Sequence, residues 1–547
     1  MTTHSHDHNQ ELQDKKNNNN NKPAIQRDRT YWKSFDDLND TPEFNQALQT
    51  EFMSSPLREE TENEGQDKWA RREFLKLMGA SLALTTAAGC IRRPVQKIVP
   101  YVKQPEDVTI GMSNWYTSTY FDGQEGFGLL VKSREGRPVH IQGNPEHPLN
   151  KGAISSRAQA SLLGLYDPER LQGPKRNLLN EKRTNKETIA VNWESLDNKI
   201  VEELKKGSIY LLSGNISSPA TQAVIDDFGK AFGSQHIVWE PLANDEVMLG
   251  QLASYGNAAV PSYRFDKAQT IVSIDADFLG SWLTPVAFTR QFSAGRKKIE
   301  TMNRLISFDS TYSLTAANAD MRFKIKPSQQ LTVVMGLISE VLGRSSYAAN
   351  ESVKSAVAPF KNAAEQLKIP SDVFKKIADE LFKNAGESLV VAGGLQTKTE
   401  DSHQLQIAVN FLNTILGNEG KTVLSQKANN RLTADYNKLQ LLINDMKDKK
   451  VKTLIIYRSN PLYALSENAG FAEALKKVET VVYIGDKMDE TAKLCHYVAT
   501  DNHALETWGD AEFAQGVYSV HQPLIRTMYD TRSFQLTLMT WAYLANL

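Results

Sequence analysis

Ile209-Tyr210-Leu211-Leu212-Ser213, closed by Gly214-Asn215 and followed from Pro219 to Phe232 by helical periodicity, is the stretch that sets the fold class of this chain. A short, nearly uninterrupted apolar run ending in a glycine turn reads as a strand covered on both faces. The same order recurs at Thr270 to Ile274, at Leu389 to Val391 with Gly393-Gly394, at Thr453 to Tyr457 and at Thr480 to Ile484. Repetition of strand, turn and helix predicts an α/β fold with a parallel sheet flanked by helices. Ligands in such sheets bind beyond the strand ends, where these turns lie. No full Gly-x-Gly-x-x-Gly follows any of the strands, so the turns alone do not specify a dinucleotide.

Ahead of the repeats the pattern changes from runs to alternation. Trp115 to Phe121 and Gly128 to Ser133 alternate like strands, and Glu135-Gly136-Arg137-Pro138 reads as a turn that folds Leu129–Ser133 onto Val139–Gln142. Residues 91–165 are therefore expected to form a small β-rich unit, and 166–547 Rossmann-like α/β domains, two of them with one inserted in the other.

The first 90 residues read as a sequence of addresses rather than a core. Residues 1–30 are polar, with His4, His6, His8 and the run Asn17 to Asn21, and are expected to be a disordered tail. Residues 31–68 form an extension in which Tyr31-Trp32-Lys33-Ser34-Phe35 and Thr41-Pro42-Glu43-Phe44 suit a short docking helix. From 69 to 90, Arg71-Arg72-Glu73-Phe74-Leu75-Lys76 runs into the uncharged stretch Leu77 to Gly89 and ends at Cys90. That is the plan of a twin-arginine export signal, with Arg71, Arg72, Phe74, Leu75 and Lys76 as its recognition text. Cys90 is a lipidation candidate, although Ala87 stands where such sites prefer leucine.

Charge and cysteine counts exclude several classes. The chain carries 63 basic and 64 acidic residues, a net charge of −1, which gives nucleic acid no electrostatic handle. Its two cysteines, Cys90 and Cys495, cannot supply the roughly four thiolates of an iron–sulfur cluster. No run of 18 apolar residues follows residue 90.

Gly143-Asn144-Pro145-Glu146-His147-Pro148, followed by Tyr166-Asp167-Pro168-Glu169-Arg170-Leu171, Ser459-Asn460-Pro461, Asp489-Glu490-Thr491-Ala492 and Glu506-Thr507-Trp508-Gly509-Asp510, resembles the molybdopterin-dependent oxidoreductase family over about 91–547. The resemblance implies that Asn144, His147, Asn460 and Asp486 mark the cofactor turns and that Ser156 stands near the metal position. Departures from the pattern point away from chemistry. No cysteine group lies between Trp115 and Gly128, and Ser155-Ser156-Arg157 stands where active members offer a metal ligand. A retained turn accounts for the first motif: Asn144 in left-handed geometry, Pro145 fixing the next step, His147 as a cap. With the late export signal, Tyr31-Trp32-Lys33-Ser34, Lys97 to Val102 and Gln291 to Arg296, the chain resembles the first part of the B subunits of alternative complex III, as a split-gene product or a fragment would.

That resemblance implies a non-catalytic scaffold on the periplasmic side of a bacterial inner membrane, within a quinol-oxidising complex. It implies no cofactor or metal in this chain. Iron–sulfur clusters and c-type haems belong to partner chains: a ferredoxin-like subunit, a multihaem cytochrome c subunit and multi-pass quinol-binding membrane subunits. The competing expectations are an active molybdopterin-dependent oxidoreductase and an exported binding or assembly module. Elsewhere, Trp282, Trp508 and Trp541 read as core or interface aromatics, Cys495 as a buried small residue, and His496 and His503 as the one histidine pair near a turn with acids close by.

Overall fold

The computed structural model describes residues 111–546 apart from 122, 124, 181–184, 243 and 430–434, together with Pro42 and Thr109. The extension, the export signal with Arg71, Arg72, Phe74, Leu75 and Lys76, and Cys90 lie outside the described residues.

The described chain opens with an antiparallel sheet of β1 (Ser113–Phe121), β2 (Gly126–Arg134) and β3 (Arg137–Gly143), in that order. The turn between β2 and β3 is shorter than the sequence suggests. Arg134 pairs directly with Arg137, leaving Glu135 at φ 51° and Gly136 at φ 77° as a two-residue hairpin turn whose twist matches that of the strands. Arg137 and Pro138 therefore belong to β3. Pro138 is tolerated because β3 is an edge strand and the register shifts beside it. Helix α1 (Ser156–Leu165) follows, started by Ser155, whose hydroxyl accepts the Ala158 N–H at 3.1 Å.

The main sheet has seven strands, in the order β5-β4-β16-β15-β14-β6-β7. It begins with β4 (Lys175–Leu179) and β5 (Asn185–Ala190), passes through α2 (Trp193–Leu204), and continues with β6 (Ile209–Ser213), α3 (Pro219–Phe232) and β7 (Gln235–Val238). After α4 (Asp245–Tyr255) the chain leaves this sheet. It forms β8 (Val260–Tyr263), then a parallel four-stranded sheet of β9 (Thr270–Ile274), β10 (Arg304–Asp309), β11 (Met321–Lys324) and β12 (Ser388–Ala392), in the order β11-β10-β9-β12. Helices α5 (Pro285–Ala294), α6 (Gln330–Leu342), α7 (Ser371–Lys383) and α8 (Ser402–Ile415) accompany it, and β13 (Val423–Asn429) pairs with β8. After α9 (Tyr436–Lys447), the chain re-enters the first sheet with β14 (Thr453–Tyr457), β15 (Thr480–Gly485) and β16 (Tyr497–Thr500). A hairpin of β17 (Gly509–Ala514) and β18 (Val517–His521) and helix α10 (Phe534–Leu544) complete it.

Burial explains the apolar runs. Along β6, Ile209 and Leu211 pack into one core while Tyr210 and Leu212 pack into the core on the opposite face. β14 and β15 do the same, with Ile455, Val482 and Ile484 on the first side and Leu454, Ile456 and Val481 on the second. Each such side chain, fully withdrawn from water, contributes about 1.5–3 kcal/mol. A strand buried on both faces has no position left for a polar side chain to reach water.

Helix α3 shows how local sequence fixes an element that matters for the site. Ser218 caps it, Pro219 occupies the first helical position, and Gly233 at φ 68° ends it in the left-handed conformation. Cys495 is buried, and its thiol donates to the Thr491 carbonyl at 3.2 Å. Trp282 and Trp541 are buried, whereas Trp508 is 67% exposed. Among the described residues no helix is long and apolar enough to cross a membrane.

Candidate functional site

In the seven-stranded sheet the strand order reverses between β6 and β14, and a cavity of about 470 Å3 opens there, at the strand ends. Gly214-Asn215 after β6, Arg458 after β14, Asp486 after β15 and Asp501-Asn502 after β16 line it, with β1 across the gap.

Several donors at this crevice are held by the chain's own carboxylates and carbonyls. The Asn215 N–H donates to Glu240 Oε1 at 2.9 Å, and the Asn215 side-chain amide donates to the Gly123 carbonyl at 3.0 Å. Glu240 presses so close to the turn that a Cβ on Gly214 would lie 2.4 Å from its Oε1. At the N-terminus of α3, Pro219 has no N–H, the Ala220 N–H donates to Asp510 Oδ2 at 3.2 Å, and the Thr221 N–H donates to Ser218 Oγ at 2.9 Å. The Ser218 hydroxyl in turn donates to Asp510 Oδ1. The N–H groups of Ala220 and Thr221 are thus held by the chain itself.

Among the described residues lining the crevice, the guanidinium of Arg458 is also committed. Arg458, at φ 44°, holds Asp501 with Nε at 2.8 Å from Oδ2 and donates to the Asn502 carbonyl at 2.9 Å. Burial raises the Asp501 pKa against the pull of that guanidinium. His503 stays neutral: burial, helped by the nearby Arg170 and Arg458 charges, pushes its pKa to about 4. Its Nε2 lies 3.2 Å from the Ser161 carbonyl and its Nδ1 accepts the Leu505 N–H at 3.2 Å, which places the ring proton on Nε2. His496 is elsewhere, its Nδ1 accepting the Val481 N–H at 2.8 Å.

The second sheet repeats the device. Its order reverses between β9 and β12, and Asp275, at φ 51° directly after β9, fills the opening. Its Oδ1 accepts from the Ser310 N–H at 2.7 Å and the Ser310 hydroxyl at 2.9 Å, and its Oδ2 accepts from the Gln330 side-chain amide at 2.6 Å. Two positions on, Asp277 accepts from the Thr315 N–H at 3.0 Å and hydroxyl at 2.9 Å. On the β12 side, the Trp282 indole lies against Gly393, where a Cβ would come within 2.0 Å of Nε1.

The five positions singled out from sequence are not brought together. Asp486 lines the first crevice, and its carbonyl accepts the Leu171 N–H at 2.9 Å. Ser156 is exposed at the start of α1 and lines a separate cavity of about 780 Å3 facing α5 and Lys398. Asn144, His147 and Asn460 line neither. Asn144 does not adopt the left-handed conformation expected of it. Its Oδ1 instead accepts the Glu146 N–H at 3.0 Å, so the side chain mimics a backbone turn. His147 does not cap that turn through its ring. The ring is buried under β2, 3.0 Å from Ser519 Oγ, in space that exists because residue 128 is glycine. Burial lowers its pKa.

The other motifs hold one another. Asn460 accepts from the Thr491 hydroxyl and donates to Glu490, both at 2.7 Å. Arg170 and Glu506 form a fully buried ion pair, with Arg170 NH1 at 2.9 Å from Oε1. Sequence reasoning missed Glu240, Asp275, Asp277 and the helix-capping role of Asp510. The available signal was a carboxylate within a few residues of a buried strand's end, as in Val238-Trp239-Glu240 and Ile274-Asp275.

A pterin cofactor bearing a pyrophosphate needs unengaged N–H groups and positive charge at such crevices. At these crevices Glu240, Asp510 and Asp275 hold several of the donors and Arg458 is paired with Asp501, so an incoming pyrophosphate would compete with the chain's own carboxylates.

Acetylene hydratase from Pelobacter acetylenicus superimposes with a TM-score of 0.62 over 79% of this chain and 67% of its own, at 15% sequence identity. The fold is that of the molybdopterin oxidoreductases. Among sequence relatives, the menaquinone reductase molybdopterin-binding-like subunit of Nitratidesulfovibrio vulgaris is 26% identical over 505 residues, spanning 84% of this chain and 70% of the relative. The thiosulfate reductase molybdopterin-containing subunit PhsA of Salmonella typhimurium is 23% identical over 339 residues, covering 55% of this chain and 41% of that protein. The formate dehydrogenase-O major subunit of Escherichia coli matches over 305 residues at 22% identity. These relatives are molybdopterin oxidoreductase family members. No family model matches the chain.

Proposed function

We propose that this chain is a non-catalytic scaffold subunit of a membrane-associated, quinol-oxidising respiratory complex of the alternative complex III type. In this reading it binds no pterin, and it offers its surface to an iron–sulfur chain, a multihaem cytochrome c and quinol-binding membrane subunits that carry the redox centres. The observation that carries the reading is the occupation of the crevice donors by Glu240 and Asp510. An anionic pyrophosphate entering there would displace two charge-assisted hydrogen bonds and meet Asp486 and Asp501 besides. The motif residues Arg170, Asn460 and Glu506 serve packing between elements, which accounts for a family pattern persisting without its chemistry. A relative named as the molybdopterin-binding-like subunit of a menaquinone reductase is in keeping with a quinone-linked assembly. The twin-arginine text from Arg71 supports export in the folded state to the periplasmic face, with Cys90 as the lipidation candidate.

The test is complementation in the source membrane. Deleting the chain should abolish quinol-dependent electron transfer and release the iron–sulfur subunit, while Ser156→Ala and Asp486→Asn should each leave the rate within about twofold of the parent. Loss of activity in either variant with the complex intact would overturn the reading.

A further inference from the structure

A second cleft, of about 490 Å3, opens between the end of β7, the start of α4 and the start of α9. We infer that it is a binding site for a guanidinium or primary ammonium group carried on an alkyl stem. Glu246 supplies the decisive observation. Its side chain lines the cleft, the residue is only 5% exposed, and neither Oε1 nor Oε2 has a hydrogen-bond partner. The nearest cation, Lys398, gives its close contact to Asp245 at 3.0 Å and stands 3.7 Å from Glu246, beyond hydrogen-bond range.

The neighbouring acids are engaged elsewhere. Glu240 accepts the Asn215 N–H, and Asp435 accepts the Asn437 N–H at 2.9 Å. Four carboxylates thus face one ammonium, and the one without hydrogen bonds is the most buried. A buried carboxylate in this state is costly, and burial accordingly pushes the Glu246 pKa up to about 7. A guanidinium that takes the place of Lys398, the ion-pair partner at 3.7 Å, would give both oxygens a parallel N–H pair, the geometry that satisfies a carboxylate best. Trp239, Leu249 and Leu465 give the cleft apolar walls for the stem. A divalent ion suits the cleft less well, because among the described residues no three metal-binding side chains converge. The cleft shares Glu240 with the first crevice and Lys398 with the cavity beside α5, and the inference does not rest on the scaffold reading.

The stem and its charge belong either to a side chain of a partner polypeptide or to a small diffusible amine. Calorimetric titration of the full chain with butylguanidinium, and with butylurea as its uncharged counterpart, tests the site. Saturable binding of the guanidinium alone is expected, weakened at least tenfold by Glu246→Gln and strengthened by Lys398→Met. Equal behaviour of the two compounds, or parental affinity in folded Glu246→Gln, would overturn the inference. The same titration on the membrane-derived complex separates the sources, since exclusion of the probe there indicates a partner's side chain and unchanged binding a diffusible amine.

Discussion

Replacing Asp510 by alanine should loosen the β17–β18 hairpin from α3 and free the helix N-terminus at once. In the folded chain the Asp510 carboxylate accepts the Ala220 N–H at 3.2 Å and the Ser218 hydroxyl, and it lies at the positive end of the helix dipole. Loss of a capping acceptor costs about 0.5–2 kcal/mol, and loss of a negative charge at a helix N-terminus about 0.3–1 kcal/mol. Together these give roughly 1–3 kcal/mol, which lowers the midpoint of a compact unit spanning Lys103–Leu547 by about 1–3 °C, at about 2.1 cal/mol/K of unfolding entropy per residue. Scanning calorimetry of the full chain at pH 7 measures it, and adding sulfate turns it into a test of the crevice. With the Ala220 N–H released, sulfate should raise the variant's midpoint more than the parent's. A variant that melts with the parent, or whose response to sulfate matches the parent's, would refute the argument that Asp510 stands in for an anion.

Four further outcomes follow from packing and burial. Asp197→Ala leaves the Arg532 guanidinium, held at 2.9 and 2.7 Å, and the Trp541 indole N–H, held at 2.7 Å, without their acceptor; about 3–5 kcal/mol should be lost, seen as earlier amide exchange in α10. Gly128→Ala places a Cβ 2.4 Å from the buried His147 ring and should cost about 1–3 kcal/mol by thermal unfolding. His236 and His503 both have folded pKa values of about 4 against an ordinary 6.5, so the folded chain binds fewer protons than the unfolded chain across that window and loses stability as pH falls through it. Glu246, raised from 4.5 to about 7, works in the opposite sense and loses stability as pH rises, so Glu246→Gln should steepen the acid-side decline in a melting-temperature series.

What could be read from sequence divides along physical lines. The central strands β6, β9, β12, β14 and β15 were legible because parallel strands covered on both faces leave no polar positions. β4 and β5 were not, since Lys175–Leu179 and Asn185–Ala190 extend the sheet at its edge and, of the two strands, only Asn177 is buried. The motif Gly143–Pro148 announced a turn correctly, but a turn's sequence does not say what its side chains meet. His147 meets Ser519, 372 positions away, so its role follows from tertiary packing. The carboxylates that close the crevices were hidden for the same reason: Asp510 caps a helix 290 residues before it.

The most direct test is the metal content of the intact complex, solubilised gently from membranes and then stripped of partner subunits. The account predicts no molybdenum or tungsten bound to this chain, with iron departing alongside the partners. Stoichiometric molybdenum or tungsten remaining with the chain after stripping would contradict it.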